Sequence, residues 1–392
     1  MNSFMYNAPT KVYFGTDSDE KLSAIMAEIE CKSVLLHYGG ESAVKSGLIG
    51  RVKGSLERAG VKYCELGGVK PNPRLSLVYE GIELCRRERV DFILAVGGGS
   101  VIDSAKAIGM GAAGEGDVWD YYCEKRTPEK TLPVGVILTV AAAGSEMSKS
   151  SVITNDKLQI KRGRNAEISR PVFAILNPEL TISVPPYPTA CGCADIFMHT
   201  LERYLTAGET LNLTDNMAEA LMTTVISASK KVMKNPADLN ARANLLWASS
   251  LSHNGLTACG NDGGDWCTHS LGHELSAKYD IAHGASLTAV WGSWARYVYK
   301  NCLSRFHRFA VQVMGVRPNG TRAELALKGI EAAEEWFESL GMPTSIGAAG
   351  VKPSAEDIAD MAEKWAENNG GVKGSCKKLD KTDAAAIYTA AL

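Results

Sequence analysis

Asp91-Phe92-Ile93-Leu94-Ala95-Val96-Gly97-Gly98-Gly99-Ser100-Val101-Ile102-Asp103 is the stretch that decides the fold. An unbroken apolar run from Phe92 to Val96 reads as a buried strand, and three glycines stop it where a helix opens. Glycines at that junction let the backbone approach phosphate oxygens, and a helix N-terminus offers unpaired N–H groups and a favourable dipole. Ser100 adds a hydroxyl donor. A tight strand-to-helix turn without a ligand explains the same residues. The carboxyl end of a strand is where open α/β sheets bind ligands, and that favours a cofactor phosphate.

Working outward, strand-like and helix-like segments alternate. Ser33 to Tyr38 is an apolar run ending in Gly39-Gly40, Gly50 to Ala59 is helical, and Val61 to Leu66 is another strand. Leu75 to Arg89 has helical apolar spacing, and Leu132 to Val140 and Pro171 to Leu176 are further strands. This alternation predicts a parallel α/β sheet with crossover helices. Gly39-Gly40-Glu41-Ser42 also follows a strand and suits the adenosine end of a dinucleotide, although a plain turn explains it nearly as well. The literal dinucleotide pattern, Gly109-Met110-Gly111-Ala112-Ala113-Gly114, follows the helix-like Val101 to Ile108 instead of a strand. It reads as a helix terminus and loop.

Pro185-Pro186-Tyr187-Pro188 marks a change of character, because proline removes donors and biases the preceding residue away from helix. Asn216 to Met233, Leu239 to Ser252 and Arg322 to Leu340 beyond it carry helical spacing. The expectation is an α/β dinucleotide-binding domain over residues 1–185 and an all-helical domain over 186–392. A net charge of −2 gives no case for nucleic acid or an anionic membrane, and Lys161-Arg162-Gly163-Arg164 reads as a solvated loop. No apolar run approaches the roughly 20 residues needed to span a bilayer. The first residues show no secretory pattern, and the ten scattered cysteines read as buried free thiols, so a cytoplasmic protein is expected.

Four of the seven histidines fall in two short segments. Asp195 and His199 stand at i and i+4, on one helical face, and His269 and His273 repeat the spacing. His283 follows ten residues later, before Gly284. One carboxylate with several neutral imidazoles suits Zn2+, Fe2+ or Ni2+ better than Mg2+ or Ca2+. Either pair alone reads equally well as a surface or core pair, but together they point to one divalent metal. His37, His253 and His307 read as packing or surface residues, and Trp266, Trp291 and Trp294 as core. A zinc hydrolase also fits such a cluster, yet neither HExxH nor GxSxG occurs. A metal beside a dinucleotide-type domain favours hydride transfer.

With these residues in place, the chain resembles the iron-containing (group III) alcohol dehydrogenase family, in its butanol dehydrogenase-like branch. The resemblance runs through Pro9 to Gly15, Tyr38-Gly39-Gly40, Gly97-Gly98-Gly99-Ser100, Leu138-Thr139, Gly144-Ser145-Glu146, Gly264-Asp265-Trp266 and His269 to Gly284. It implies a dehydroquinate synthase-like fold with the cofactor in a cleft between the domains, and a homodimer. The implied metal ligands are Asp195, His199, His269 and His283, with His273 as a proton relay that does not bind metal. The implied cofactor residues are Gly39, Gly40, Ser42, Gly97, Gly98, Gly99, Ser100, Asp103 and Thr139. The implied activity is that of an NAD(P)H alcohol dehydrogenase or aldehyde reductase on short primary aliphatic substrates, with the metal as Lewis acid. A dehydroquinate-synthase-type lyase and a non-enzymatic metal-binding protein are the alternatives.

The chain departs from the branch at three residues, the first being Glu41, where Tyr38-Gly39-Gly40-Glu41-Ser42 replaces the usual Tyr-Gly-Gly-Gly-Ser. Gly40 stands where NAD-preferring relatives place Asp, leaving room for the 2′-phosphate of NADP, while Glu41 adds a carboxylate nearby. The reading leans to NADP(H) over NAD(H). Ala143 replaces a common Thr, removing a possible donor to the cofactor, and Asn177 stands where Asp is usual.

Overall fold

The computed structural model describes residues 2–392, the side chain of Glu41 excepted. They form two compact units, Ala8–Val184 and Pro185–Leu392, with residues 2–7 belonging to the second. A linear reading assigns that N-terminal segment to the α/β domain. Instead, the Asn2 backbone N–H donates to Gly260 O at 3.1 Å.

In the first unit, strands β1 (Lys11–Phe14), β2 (Ser33–Tyr38), β3 (Lys62–Leu66), β4 (Phe92–Gly97), β5 (Val134–Leu138) and β8 (Phe173–Leu176) form one sheet. The order is β1-β8-β5-β4-β2-β3, parallel throughout. Helices α1 (Leu22–Ile29), α2 (Glu41–Lys45), α3 (Leu48–Arg58), α4 (Leu75–Glu88), α5 (Gly99–Ala113) and α6 (Trp119–Tyr122) complete the crossovers. Strand residues two apart share a face, so Val34 and Leu36 with Phe92, Leu94 and Val96 form one apolar sheet face. It packs on Met26 of α1 and on Val52 and Leu56 of α3. Each such side chain contributes about 1.5–3 kcal/mol on burial.

The chain steps outward from β2 to β3, then returns to lay β4 on the other side of β2. Strand order therefore reverses between β2 and β4, and a crevice opens at their carboxyl ends. The glycines after Tyr38 and after Val96 stand at those two ends.

Beneath this junction His37 is fully buried. Its Nδ1–H donates to Leu66 O at 2.8 Å, since a carbonyl can only accept, so Nε2 accepts from the Ser104 hydroxyl at 2.9 Å. One neutral ring thus ties β2 to β3 and α5. Burial pushes its pKa from 6.5 down to about 4. Between those values the unfolded chain binds a proton that the folded chain does not, so stability is lost as pH falls through the window. The loss is expected to be about 3 kcal/mol. Urea unfolding at the two ends of the window should show His37→Gln less stable at neutral pH and lacking most of this acid-dependent loss. An equal acid slope in both proteins would refute the assignment.

Strands β6 (Ser150–Asn155) and β7 (Ile160–Asn165) make an antiparallel hairpin outside the main sheet. Lys161 to Arg164, expected as a solvated loop, lie in β7, and Lys161 is buried with its Nζ donating to Asn72 Oδ1 at 2.9 Å. Polar residues on both faces hide the strand period, and pairing with β6 supplies the order.

The second unit is helical: α7 (Pro186–Tyr204), α8 (Asn212–Lys234), α9 (Leu239–His253), α10 (Cys267–Tyr279), α11 (His283–Val298), α12 (Leu303–Gln312), α13 (Arg322–Ser339), α14 (Ala355–Asn368) and α15 (Lys381–Ala390). Pro186 opens α7, where a missing N–H costs nothing. Capping boxes start α13, α14 and α15 at Thr321, Ser354 and Asp380. Phe197 of α7 packs on Phe309, Trp336 and Phe337, and Trp291 on Phe309 and Phe337, forming an aromatic core under the inner face of α7. All ten cysteines are free thiols. No helix among the described residues is long and apolar enough to cross a membrane.

Candidate active site

Two constellations stand out, one in each unit. In the α/β unit, β4 runs into Gly97 and α5 starts at Gly99. Gly98 caps the helix in extended conformation without a side-chain hydrogen bond; its carbonyl takes the Val101 and Ile102 N–H groups, which leaves those of Gly99 and Ser100 for a ligand. A Cβ on Gly97 would lie 2.9 Å from Val101 Cβ, and one on Gly98 3.1 Å from Val140 Cβ. Glycine is needed here for close packing as well as for access. The Thr139 N–H donates to Gly97 O at 3.1 Å, which brings the loop after β5 to the same place. Ala143 lies on this loop, its Cβ 3.0 Å from where a Cβ on Gly99 would stand.

Gly39 stands beside Val69 O and Val101, whereas a Cβ on Gly40 would meet nothing within 4 Å. Ser42 lies in the first turn of α2, and Ser100, half-buried, in that of α5. The Glu41 side chain lies outside the described residues. Asp103 is turned into the protein: Oδ1 accepts from the Ser145 hydroxyl at 2.6 Å and Oδ2 from the Val152 N–H at 2.9 Å. Gly109 to Ala113, expected as a helix terminus and loop, are helical and finish α5, with Gly114 as its extended C-cap.

Lys106 carries no distinguishing signal in the sequence. It is fully buried on α5, and its Nζ donates to Ser145 O, Ser145 Oγ, Ser148 O and Ser150 O at 2.7–2.9 Å. Burial pulls its pKa down to about 8. The ammonium pins the segment after Gly144 to the helix that carries the glycine loop. No local pattern marks a lysine bound for a carbonyl cage.

In the helical unit, α7 presents Asp195 and His199, α10 presents His269 and His273, and His283 is the first residue of α11. Asp195 Oδ1 lies 3.2 Å from His199 Nδ1, 3.6 Å from His283 Nε2 and 3.9 Å from His269 Nε2. Donors about 2.1 Å from one cation in tetrahedral array stand roughly 3.4 Å apart, so the spacing fits a shared ion. His199 Nδ1 and His269 Nε2 are buried and make no hydrogen bond. Burial and then the neighbouring His253 and His269 rings hold His199 well below the usual imidazole range, so its ring is neutral and has a lone pair to offer. Asp195, His199 and His269 form a buried set able to hold a metal. His283 and His273 are half-buried and leave one side of the set accessible. The His273 ring is 5.2 Å from His283 and 6.5 Å from His269, beside the cluster.

Three more residues belong to this site. Trp266, expected in the core with Trp291 and Trp294, is only half-buried. It adopts a left-handed backbone (φ 62°), costly for a bulky residue, and its ring lies 5.1 Å from His269 and 6.1 Å from His199. The Arg203 guanidinium sits over the indole, 4.4 Å from its ring centroid, and the indole N–H donates to Gly263 O at 2.7 Å. His253, on α9, packs its ring 4.1 Å from that of His199. Glu202, buried one turn beyond His199, accepts the His269 backbone N–H at 2.9 Å. Its signal was present in the sequence, because positions 195, 199 and 202 follow i, i+4, i+7 on one helix face.

Comparison with known proteins covers both units. The family model for iron-containing alcohol dehydrogenases matches residues 9–178, and that for the C-terminal part of the Fe-containing alcohol dehydrogenase family matches residues 189–392. NADH-dependent butanol dehydrogenase A of Clostridium acetobutylicum is 39% identical over 99% of each chain. The NADPH-dependent aldehyde reductase YqhD of Escherichia coli is 31% identical over 100% of each. The crystal structure of NADH-dependent butanol dehydrogenase A from Thermotoga maritima superposes with a TM-score of 0.96 at 37% identity, covering 100% of this chain and 99% of that one.

Proposed function

The chain belongs to the iron-containing alcohol dehydrogenase family, and we propose on that premise that Asp195, His199, His269 and His283 hold one divalent metal for aldehyde reduction. It is an NAD(P)H-dependent alcohol dehydrogenase and aldehyde reductase of the dehydroquinate synthase-like fold, and the substrates we propose for it are short primary aliphatic alcohols and aldehydes. The observation that carries the metal assignment is the convergence of three imidazoles on Asp195 Oδ1. Donors of this kind accept Fe2+, Zn2+ or Ni2+.

When bound, the cation supplies Lewis acidity at a carbonyl oxygen and the reduced nicotinamide supplies hydride. The chain's own groups do the rest. Asp195 contributes the one negative charge to a set that is otherwise neutral imidazole. Trp266 covers His199 and His269 and limits water there. His273, beside the ligands and half-buried, passes a proton from a ring nitrogen to the product oxygen. The N-terminus of α5 at Gly98-Gly99-Ser100 receives cofactor phosphate, with Gly97 and Thr139 shaping the loop, and Gly39, Gly40 and Ser42 face the adenosine end. Asp103 acts by holding Ser145 and Val152 in place.

For the cofactor we infer a preference for NADP(H), supported by the open space at Gly40. An aldehyde panel run with NADPH and with NADH tests this reading. Butanal should be reduced with the higher kcat/KM in NADPH, in a preparation whose elemental analysis shows one divalent metal per chain. In Gly40→Asp a carboxylate would face the 2′-phosphate at a cost of about 3 kcal/mol, cutting kcat/KM with NADPH roughly 100-fold. The value with NADH should hold within about threefold. A wild type that favours NADH, or a variant without this asymmetry, would refute the NADP assignment.

A further inference from the structure

We infer that Glu202 is a positioning residue for the metal site: it holds the His269 ring so that Nε2 is presented to the cation. The inference rests on the ligand set proposed above and extends it to a residue outside that set.

Glu202 Oε1 accepts the His269 backbone N–H at 2.9 Å and lies 3.3 Å from His269 Nδ1. Both residues are buried, with Glu202 2% exposed. A neutral imidazole has one N–H and one lone pair, so turning Nε2 toward a cation sends the proton to Nδ1. Nδ1 is buried and makes no hydrogen bond to another group. A buried N–H left unsatisfied is destabilising, and Glu202 offers the acceptor that removes this cost. A charge-assisted N–H···O bond closes to about 2.7–2.9 Å, a small ring rotation from the present separation. Glu202 Oε2 is likewise buried without a hydrogen bond, so the carboxyl group has unused acceptor capacity beside the ring.

The backbone around Glu202 is held firmly. Its carbonyl accepts the Asp265 N–H at 2.9 Å, which ties α7 to the segment leading into α10. The next residue, Arg203, donates to His199 O at 2.6 Å and to Ser252 O at 3.0 Å. Glu202 therefore sits at fixed height on α7, between the ligands of that helix and the ligand of α10.

The test uses the full chain, stripped by chelation and titrated with Co2+ against a competing chromophoric chelator. Glu202→Gln keeps the volume and an acceptor for the His269 backbone N–H but removes the charge. Its Co2+ affinity should fall about 10- to 100-fold with the visible ligand-field bands in place, because partners of this kind tune a ligand without joining the coordination sphere. Glu202→Asp, which restores the charge at shorter reach, should recover part of the loss. The thermal midpoint of each stripped variant, compared with stripped wild type, separates this effect from misfolding. Wild-type affinity in Glu202→Gln overturns the inference, as does a change in the band pattern, which would make Glu202 itself a ligand. His269→Ala serves as the reference. If it binds Co2+ like wild type, the ligand set is wrong; if it loses Co2+ while Glu202→Gln does not, only the positioning role fails.

Discussion

Replacing His269 with alanine is expected to leave a folded protein that holds no stoichiometric metal and reduces aldehydes at least 1,000-fold more slowly, on the order seen when an electrostatic stabiliser of a developing charge is removed. His269 is the donor that joins α10 to the pair on α7, and its Nε2 is buried. Without it the proposed ligand set keeps Asp195 and His199 on one helix and the half-buried His283. Those three come from two helices, with the third side open to water. Binding of reduced dinucleotide should be unaffected within about twofold, because Gly39, Gly40 and the loop from Gly97 to Ser100 belong to the other compact unit. Metal analysis, butanal turnover and quenching of protein fluorescence by NADPH measure the three quantities separately. Full turnover in a metal-free variant would refute the Lewis-acid role. Loss of dinucleotide binding together with metal would show that the substitution had damaged more than the site.

The parts of this architecture that rest on local periodicity were legible in the sequence. The run from Phe92 to Val96 could be read because a strand covered on both faces has no polar alternation, and the long helices because apolar residues recur at helical spacing. The candidate metal cluster could be read as two pairs on helix faces with His283 ten residues further on, and the resemblance set His273 beside the metal instead of on it. What stayed hidden depends on contacts between distant segments. Lys106 looks like any helix lysine until Ser145, Ser148 and Ser150 close around it, some forty residues on. Lys161 reads as solvated until β6 pairs with β7 and Asn72 meets its ammonium. Trp266 is an ordinary core candidate by composition, and only its left-handed backbone and its place over two imidazoles separate it from Trp291. Glu202 lies between these cases. Its helix-face periodicity was visible, but its partner, His269, is 67 residues away.

The close approach of α11 to α7 is the second place where one atom should decide function. A Cβ on Gly284 would stand 2.8 Å from Cys191 Cα and 2.9 Å from the Cys191 carbonyl carbon, with the carbonyl oxygen nearer still. These are backbone atoms of α7, one turn before Asp195, and they cannot swing aside as a side-chain tip could. In Gly284→Ala the first turn of α11 must therefore retreat, and His283, the residue before it, retreats with it. Its Nε2 now lies 3.6 Å from Asp195 Oδ1. Metal–donor distances tolerate only about 0.2 Å, and a misplacement of about 1 Å at a reacting centre can cost roughly 100-fold. Gly284→Ala should thus lower metal affinity and aldehyde kcat/KM together by about 100-fold. Gly50→Ala is the control. Gly50 is exposed in α3 with nothing within 4 Å of an added Cβ, and there alanine should be neutral or stabilising by up to about 1 kcal/mol. Wild-type metal content and turnover in Gly284→Ala would refute this coupling, showing that the place of His283 does not depend on the contact between α11 and α7.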